Sequence, residues 1–181
     1  MGAAAGEVSE GRLCGEAVVM IFVTVGTTDF DALVEEMDRI APRLGEEVVA
    51  QIGRGRYEPR NLRWFRSAPS LEPYYRQADV IVSHGGLGTV VEVASMGKPL
   101  VALSNPDRYD RHQDDLLGHM ERQGHLIWCK RLADLESDLR RARSMAFRPY
   151  TVPPTRIHEV IRDYLARVAA GARRGDSQGT A

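Results

Sequence analysis

Cysteine is scarce in this chain of 181 residues: there are two, Cys14 and Cys129, and no Cys-x-x-Cys pair. Such usage excludes a disulfide framework and a thiolate zinc site, and it fits a reducing cytoplasm. Net charge is lacking too. Lys plus Arg number 24 against 25 for Asp plus Glu, so no excess positive field draws the chain to DNA or RNA, and a nucleic-acid partner is not expected. The local basic cluster Arg54, Arg56, Arg60, Arg63 and Arg66 reads as a solvated loop and strand edge. Long hydrophobic runs are also missing. The longest, Ala17–Val25, has nine residues, whereas a membrane span needs about 20. Glu7, Glu10 and Glu16 precede it in place of a basic start, which argues against a signal peptide. A buried first strand explains the run, and a soluble protein is expected.

What is present is a hydrophobic fraction of 43%, enough for a core, in a length ordinary for one domain. Residues 1–19 are rich in Gly, Ala and Glu without periodicity and are expected to be a disordered extension. Residues 20–170 form the expected domain, and 171–181 a disordered tail. Within the domain, short apolar runs alternate with helical patterns. Strands are predicted at Ile21–Val25, Val48–Ile52, Leu62–Phe65, Val80–Ser83, Leu100–Leu103 and Leu126–Cys129. Between them, Phe30, Leu33, Val34, Met37, Ile40, Ala41 and Leu44 make one stripe at helical spacing, with Thr28 as N-cap and Asp31 three residues on as in a capping box. Further helices are predicted around Leu71–Gln77, Gly88–Met96, Asp114–Arg122 and Arg131–Met145. A last amphipathic helix carries Ile157, Val160, Ile161, Tyr164, Leu165 and Val168. Its apolar stripe is equally suited to its own domain or to a partner. Uniformly apolar strands alternating with helices imply a Rossmann-like α/β fold, a parallel sheet covered on both faces. Ligands in such sheets bind at the carboxyl ends of strands.

One stretch there carries chemistry. Ser83-His84-Gly85-Gly86-Leu87-Gly88-Thr89-Val90-Val91-Glu92 leaves a strand, turns through glycines and enters a helix. Free N–H groups of Leu87, Gly88 and Thr89 at a helix start make an anion site, and a diphosphate is the obvious occupant. A P-loop is excluded because Gly97-Lys98 is followed by Pro99, and a dinucleotide fingerprint because only Gly26 follows the first strand. The plainer alternative is a tight strand-to-helix turn. Glu92, one helical turn after Thr89, points against it: a carboxylate beside a diphosphate makes sense if it accepts hydrogen bonds from ribose hydroxyls. The polar loop Asn105–Gln113 follows another buried strand and suits sugar hydroxyls. Asp29-x-Asp31 could suggest a metal, but acidic residues at a helix start are favoured by the dipole alone, so no essential metal or other cofactor is expected.

Ser83–Glu92, then Gly97-x-Pro99 and Asp110-x-His112-Gln113, together with the opening Phe22-Val23-Thr24-Val25-Gly26-Thr27, resemble the C-terminal, donor-binding domain of glycosyltransferase family 28. The resemblance runs over about Met20–Gly124. It is greatest to short stand-alone subunits, such as the donor subunit of the two-part enzyme that adds the second GlcNAc to dolichol-linked sugar and bacterial subunits of exopolysaccharide synthesis. It implies the C-terminal half of a GT-B enzyme. By position it places the donor diphosphate over Gly85, Gly86, Leu87, Gly88 and Thr89 and near Gly26 and Thr27, ribose on Glu92, and uracil against Ser67 and Ala68. The sugar falls near Asp110, His112 and Gln113, and His84 stands where relatives contact phosphate. Leu87 departs from the small or polar residue of some members. The resemblance further implies an inverting hexosyltransferase using UDP-GlcNAc or UDP-glucuronate, with a lipid-linked acceptor. Neither catalytic base nor acceptor site is evident in this chain, so a membrane-associated acceptor-binding partner is implied, which would hold the chain at the membrane periphery. Two other readings stay open: an epimerase or hydrolase active alone, and a non-catalytic nucleotide-sugar-binding module.

Overall fold

The computed structural model describes residues 19–106 and 112–154, with 159, 161, 162, 164 and 165. At its centre lies β1, Met20–Thr24, buried along its whole length. The other strands are β2 (Glu47–Gln51), β3 (Arg63–Phe65), β4 (Val80–His84), β5 (Leu100–Leu103) and β6 (Ile127–Trp128). All pair in parallel, in the order β3-β2-β1-β4-β5-β6. In register, Val23 sits between Ala50 of β2 and Val82 of β4. The helices are α1 (Asp31–Leu44), α2 (Glu72–Gln77), α3 (Leu87–Ser95), α4 (His112–Arg122) and α5 (Leu135–Ser144), the last preceded by a 3-10 turn at Leu132–Asp134.

Side chains alternate across the sheet because successive Cβ atoms point to opposite faces. Ile21, Val23, Val82 and Val101 meet Leu33, Met37 and Ile40 of α1 and Leu135 and Leu139 of α5 on one face. Phe22, Ile81, Leu100 and Ala102 meet Tyr75 of α2, Val90 and Val93 of α3 and Leu117 of α4 on the other. Both faces are therefore covered, which is why the strands read as continuous apolar runs. Six strands and the helices between them stand where periodicity predicts, with ends displaced by a few residues. The predicted helix Arg131–Met145 splits into the 3-10 turn and α5.

One local expectation is overturned. Thr28 does not cap α1: Phe30 is the N-cap residue and no side chain caps it. The Thr28 hydroxyl instead donates to Val25 O (2.9 Å), and the Asp31 carboxylate accepts the N–H of Arg56 (3.0 Å). Turn closure and anchoring of the β2–β3 connection outcompete the capping box. At its C-terminal end α1 is closed by Gly45 in the left-handed region at φ 69°, a common helix stop.

The fold just described belongs to a unit ending at Tyr150; a second unit begins at Thr151. In it Glu159, Ile161, Arg162, Tyr164 and Leu165 are helical. Ile157, Val160 and Val168 of the predicted last helix, and the segments 1–18 and 171–181, lie outside the described residues. No helix among the described residues is long and apolar enough to cross a membrane.

Candidate functional site

β1 is the strand at which the sheet order reverses. The chain leaves β1 into α1 on one face and leaves β4 into α3 on the other. Those departures part the carboxyl ends of β1 and β4 and open a crevice, the place where parallel α/β sheets bind ligands. Here the crevice is a cleft of about 810 Å³, within the roughly 300–1,000 Å³ typical of small-molecule sites.

Its wall on the α3 side is the glycine turn. Gly86 is the N-cap residue, and Val90 is the first to bond back, its N–H reaching Gly86 O at 3.0 Å. The N–H groups of Leu87, Gly88 and Thr89 therefore have no carbonyl within the helix to donate to. The glycines differ in what they are for. A Cβ at Gly85 would press on Leu117 (3.0 Å) and Gln113 (3.1 Å), and one at Gly86 would collide with the His84 ring. Packing explains both. A Cβ at Gly88 would meet nothing within 4 Å. Packing does not explain it, and room for something in the cleft does.

The opposite wall is the turn after β1. Gly26, at φ 65°, lies against the His84 ring, with Cε1 3.1 Å from where its Cβ would be. His84 is thus a buried plate between the β1 and β4 turns. The floor is polar and tied together. Gln51, 3% exposed, accepts from the Thr24 hydroxyl (2.6 Å) and donates to Gly26 O (2.8 Å) and Arg66 O (2.7 Å). One amide therefore joins the turns after β1 and β3. Tyr75 lines the cleft beneath Thr89; burial, and secondarily the Glu92 charge, push its phenol up to about 12, against hydrogen bonds with Thr89 and Thr24. It is a neutral hydrogen-bonding group at any ordinary pH.

The structure brings Gly26, Thr27, Ser67, Ala68, His84 and Gly86 to this cleft with Leu87, Gly88, Thr89 and Glu92. Gly85 lies behind the wall, turned towards α4. Gln113 lines a neighbouring pocket of about 440 Å³ with Ser104, Asn105 and Lys130, its Oε1 accepting the N–H of Asn105 (2.9 Å). His112 is exposed at the start of α4 and lines neither space. Asp110 lies outside the described residues. Sequence reasoning missed Gln51, Arg54 and Tyr75. The first two stand at and just beyond the carboxyl end of β2, an interior strand whose following loop lies at the same end of the sheet as those after β1, β3 and β4. Tyr75 falls within the predicted helix Leu71–Gln77, where nothing in the sequence sets it apart. Among the described residues, no group of three or more His, Cys, Asp or Glu side chains is placed to hold a metal.

Comparison with known proteins adds the following. Residues 20–165 match the glycosyltransferase family 28 C-terminal domain. The UDP-N-acetylglucosamine transferase subunit ALG13 of Mus musculus is 37% identical over 121 residues, 60% of this chain and 10% of its own length. The Homo sapiens counterpart is 34% identical over 122 residues, again 60% of this chain and 11% of its own length. The chain thus spans about a tenth of the length of these two curated relatives. An NMR structure of ALG13 is similar in fold, with TM-score 0.53, 16% identity, and coverage of 80% of this chain and 94% of that one.

Proposed function

Because the chain belongs to the glycosyltransferase family 28 C-terminal domain family, we propose that it is the donor-binding subunit of an inverting hexosyltransferase that takes a UDP-sugar and works with a second, acceptor-binding polypeptide. The observation carrying this reading is the cleft between the ends of β1 and β4, where three unbonded N–H groups, an open glycine and a carboxylate converge. The diphosphate lies along Leu87–Thr89 and the turn at Gly26–Thr27. Glu92 accepts from the ribose hydroxyls, and uracil rests at Ser67–Ala68. The names of the curated relatives favour UDP-GlcNAc over UDP-glucuronate as the donor.

Transfer breaks the bond between the anomeric carbon and a β-phosphate oxygen, and the electron pair goes to that oxygen. Amide donors fixed by α3 meet the growing negative charge without reorganising, so they act more strongly on the transition state than on the bound donor. The acceptor hydroxyl attacks from the opposite face and must lose its proton to a base. That base and the acceptor site belong to the partner in this proposal. The acceptor is lipid-linked and the partner membrane-associated, which places this chain at the membrane periphery on the cytoplasmic side.

The test is transfer from labelled UDP-GlcNAc to a lipid-linked acceptor, by this chain alone, by the acceptor-binding subunit alone, and by the two together. Transfer by the mixture only is expected. Turnover of UDP-sugar by this chain alone would replace the proposal with a self-sufficient enzyme, and nucleotide-sugar binding without turnover in any mixture would leave a binding module.

A further inference from the structure

Among the described residues, two arginines line the cleft, and they are differently employed. Arg66 donates to Gly55 O (2.8 Å) and to Glu58 (2.9 Å) and lies over the Trp64 ring, so its guanidinium is already engaged. Arg54 is exposed, lines the same cleft, and its side chain has no ion pair or hydrogen bond among the described residues.

The backbone that carries Arg54 is firmly placed. Its N–H donates to Thr28 O (2.9 Å), and Gly53, at φ 55°, packs so closely on Gly26 O and Thr28 O that no Cβ could stand there. The turn after β2 is thereby locked onto the turn after β1. An exposed side chain on such a base loses little backbone entropy when it engages a ligand.

Charge gives the reason for a cation at this place. Glu92 brings a carboxylate to the cleft, and a nucleoside diphosphate sugar brings about two further negative charges. The end of α3 offers only partial positive charge, equivalent to roughly half an elementary charge. With Arg66 paired to Glu58, Arg54 is, among the described residues that line the cleft, the full positive charge left to oppose them.

We infer that Arg54 binds the diphosphate of the donor, holding it against the start of α3 from the β2 side. This rests on the donor-site reading above and adds a residue to it. As the anomeric carbon–oxygen bond breaks, the electron pair passes to the β-phosphate oxygen and the acceptor proton to the partner's base. Arg54 stays protonated throughout, and its guanidinium suits paired phosphate oxygens by its planar, forked geometry.

The experiment is calorimetric titration of the full chain, wild type, Arg54→Ala and Arg54→Lys, with UDP and with uridine. Wild type should bind UDP more tightly than uridine. Arg54→Ala should weaken UDP about 10- to 100-fold, as for loss of a charged hydrogen bond, while its affinity for uridine stays within about threefold of wild type, and Arg54→Lys should fall between. If wild type binds UDP and Arg54→Ala binds it equally well, the inference fails and the donor site stands. An equal loss for UDP and uridine also overturns it, because the residue would then be shaping the site and not meeting phosphate. If wild type binds no UDP, the donor-site reading falls first and this inference with it.

Discussion

In the proposed donor site, Gly88 and Glu92 are the residues at which the fold and the ligand would make different demands. Glycine at the second position of a helix costs stability relative to alanine, about 0.5–1 kcal/mol in a helix interior. No packed neighbour stands within 4 Å of where a Gly88 Cβ would be to justify that cost. Gly88→Ala should leave thermal stability unchanged or slightly raised, yet weaken UDP binding, since a methyl group would occupy the space over the free amides. A variant that is less stable but binds UDP normally would return the glycine turn to a purely structural role. Glu92 is exposed on the next turn of α3. Glu92→Ala should weaken UDP-sugar binding about tenfold or more in calorimetry, from the loss of hydrogen bonds to a charged acceptor. It should weaken binding of the 2′,3′-dideoxy analogue much less, and equal losses for both would remove ribose from Glu92. Both residues were legible in the sequence because spacing alone sets them on one helix end. Arg54 was not, since it stood within a basic cluster whose members differ only in what lies beside them.

Elements are joined at two buried polar groups that hydropathy could not assign. Asp38, 3% exposed on the inner side of α1, accepts from the N–H groups of Asn61 (2.6 Å) and Arg60 (3.0 Å) and the phenol of Tyr57 (2.8 Å). It pins the β2–β3 connection to the helix. Burial pushes its carboxyl up, but those three donors outweigh burial and hold it below the usual carboxylate range. A depressed folded-state value means that the stabilisation is complete above the unfolded-state value, about pH 4, and is lost as pH falls through the folded-state value. Asp38→Asn should therefore lower the free energy of unfolding by about 1–3 kcal/mol at neutral pH. In denaturant titrations, the gap from wild type should narrow only on acidification below pH 4. A gap that is constant down to pH 2 would mean the charge contributes nothing. Gln51 does the corresponding work beneath the cleft. Gln51→Leu leaves Gly26 O without its donor and Arg66 O with the N–H of Gly53 alone, so UDP affinity should drop through misplaced turns even though no atom of Gln51 need touch the nucleotide. Retained affinity would show that the turns hold themselves.

For the molecule as a whole, the strand order places the groups of the proposed donor site at one end of the sheet. UDP titrated into isotope-labelled chain should shift the amide resonances of Gly26, Ser67, Gly88 and Thr89. Those of Glu47 and Val80, at the amino ends of β2 and β4, should stay in place. Shifts concentrated around Asn105 and Lys130 would move the site to the neighbouring pocket instead.

The sequence by itself determined that the fold is a covered parallel sheet, because strands buried on both faces are mostly apolar, and that a glycine turn opens α3, because a glycine turn and a helix start are local events. The family was readable for the same reason, since its motifs are contiguous. Tertiary structure decided the rest. Strand order chose β1 and β4 as the walls of the cleft. Packing separated Gly85 and Gly86, which make room for neighbours, from Gly88, which makes room for nothing in the protein. Long-range pairing took Gln51, Asp38 and Asp31 out of the helix and strand patterns that seemed to account for them. Contacts between residues far apart in the chain leave no periodic trace along it, so only the folded chain could reveal which polar groups are tied down and which face the cleft.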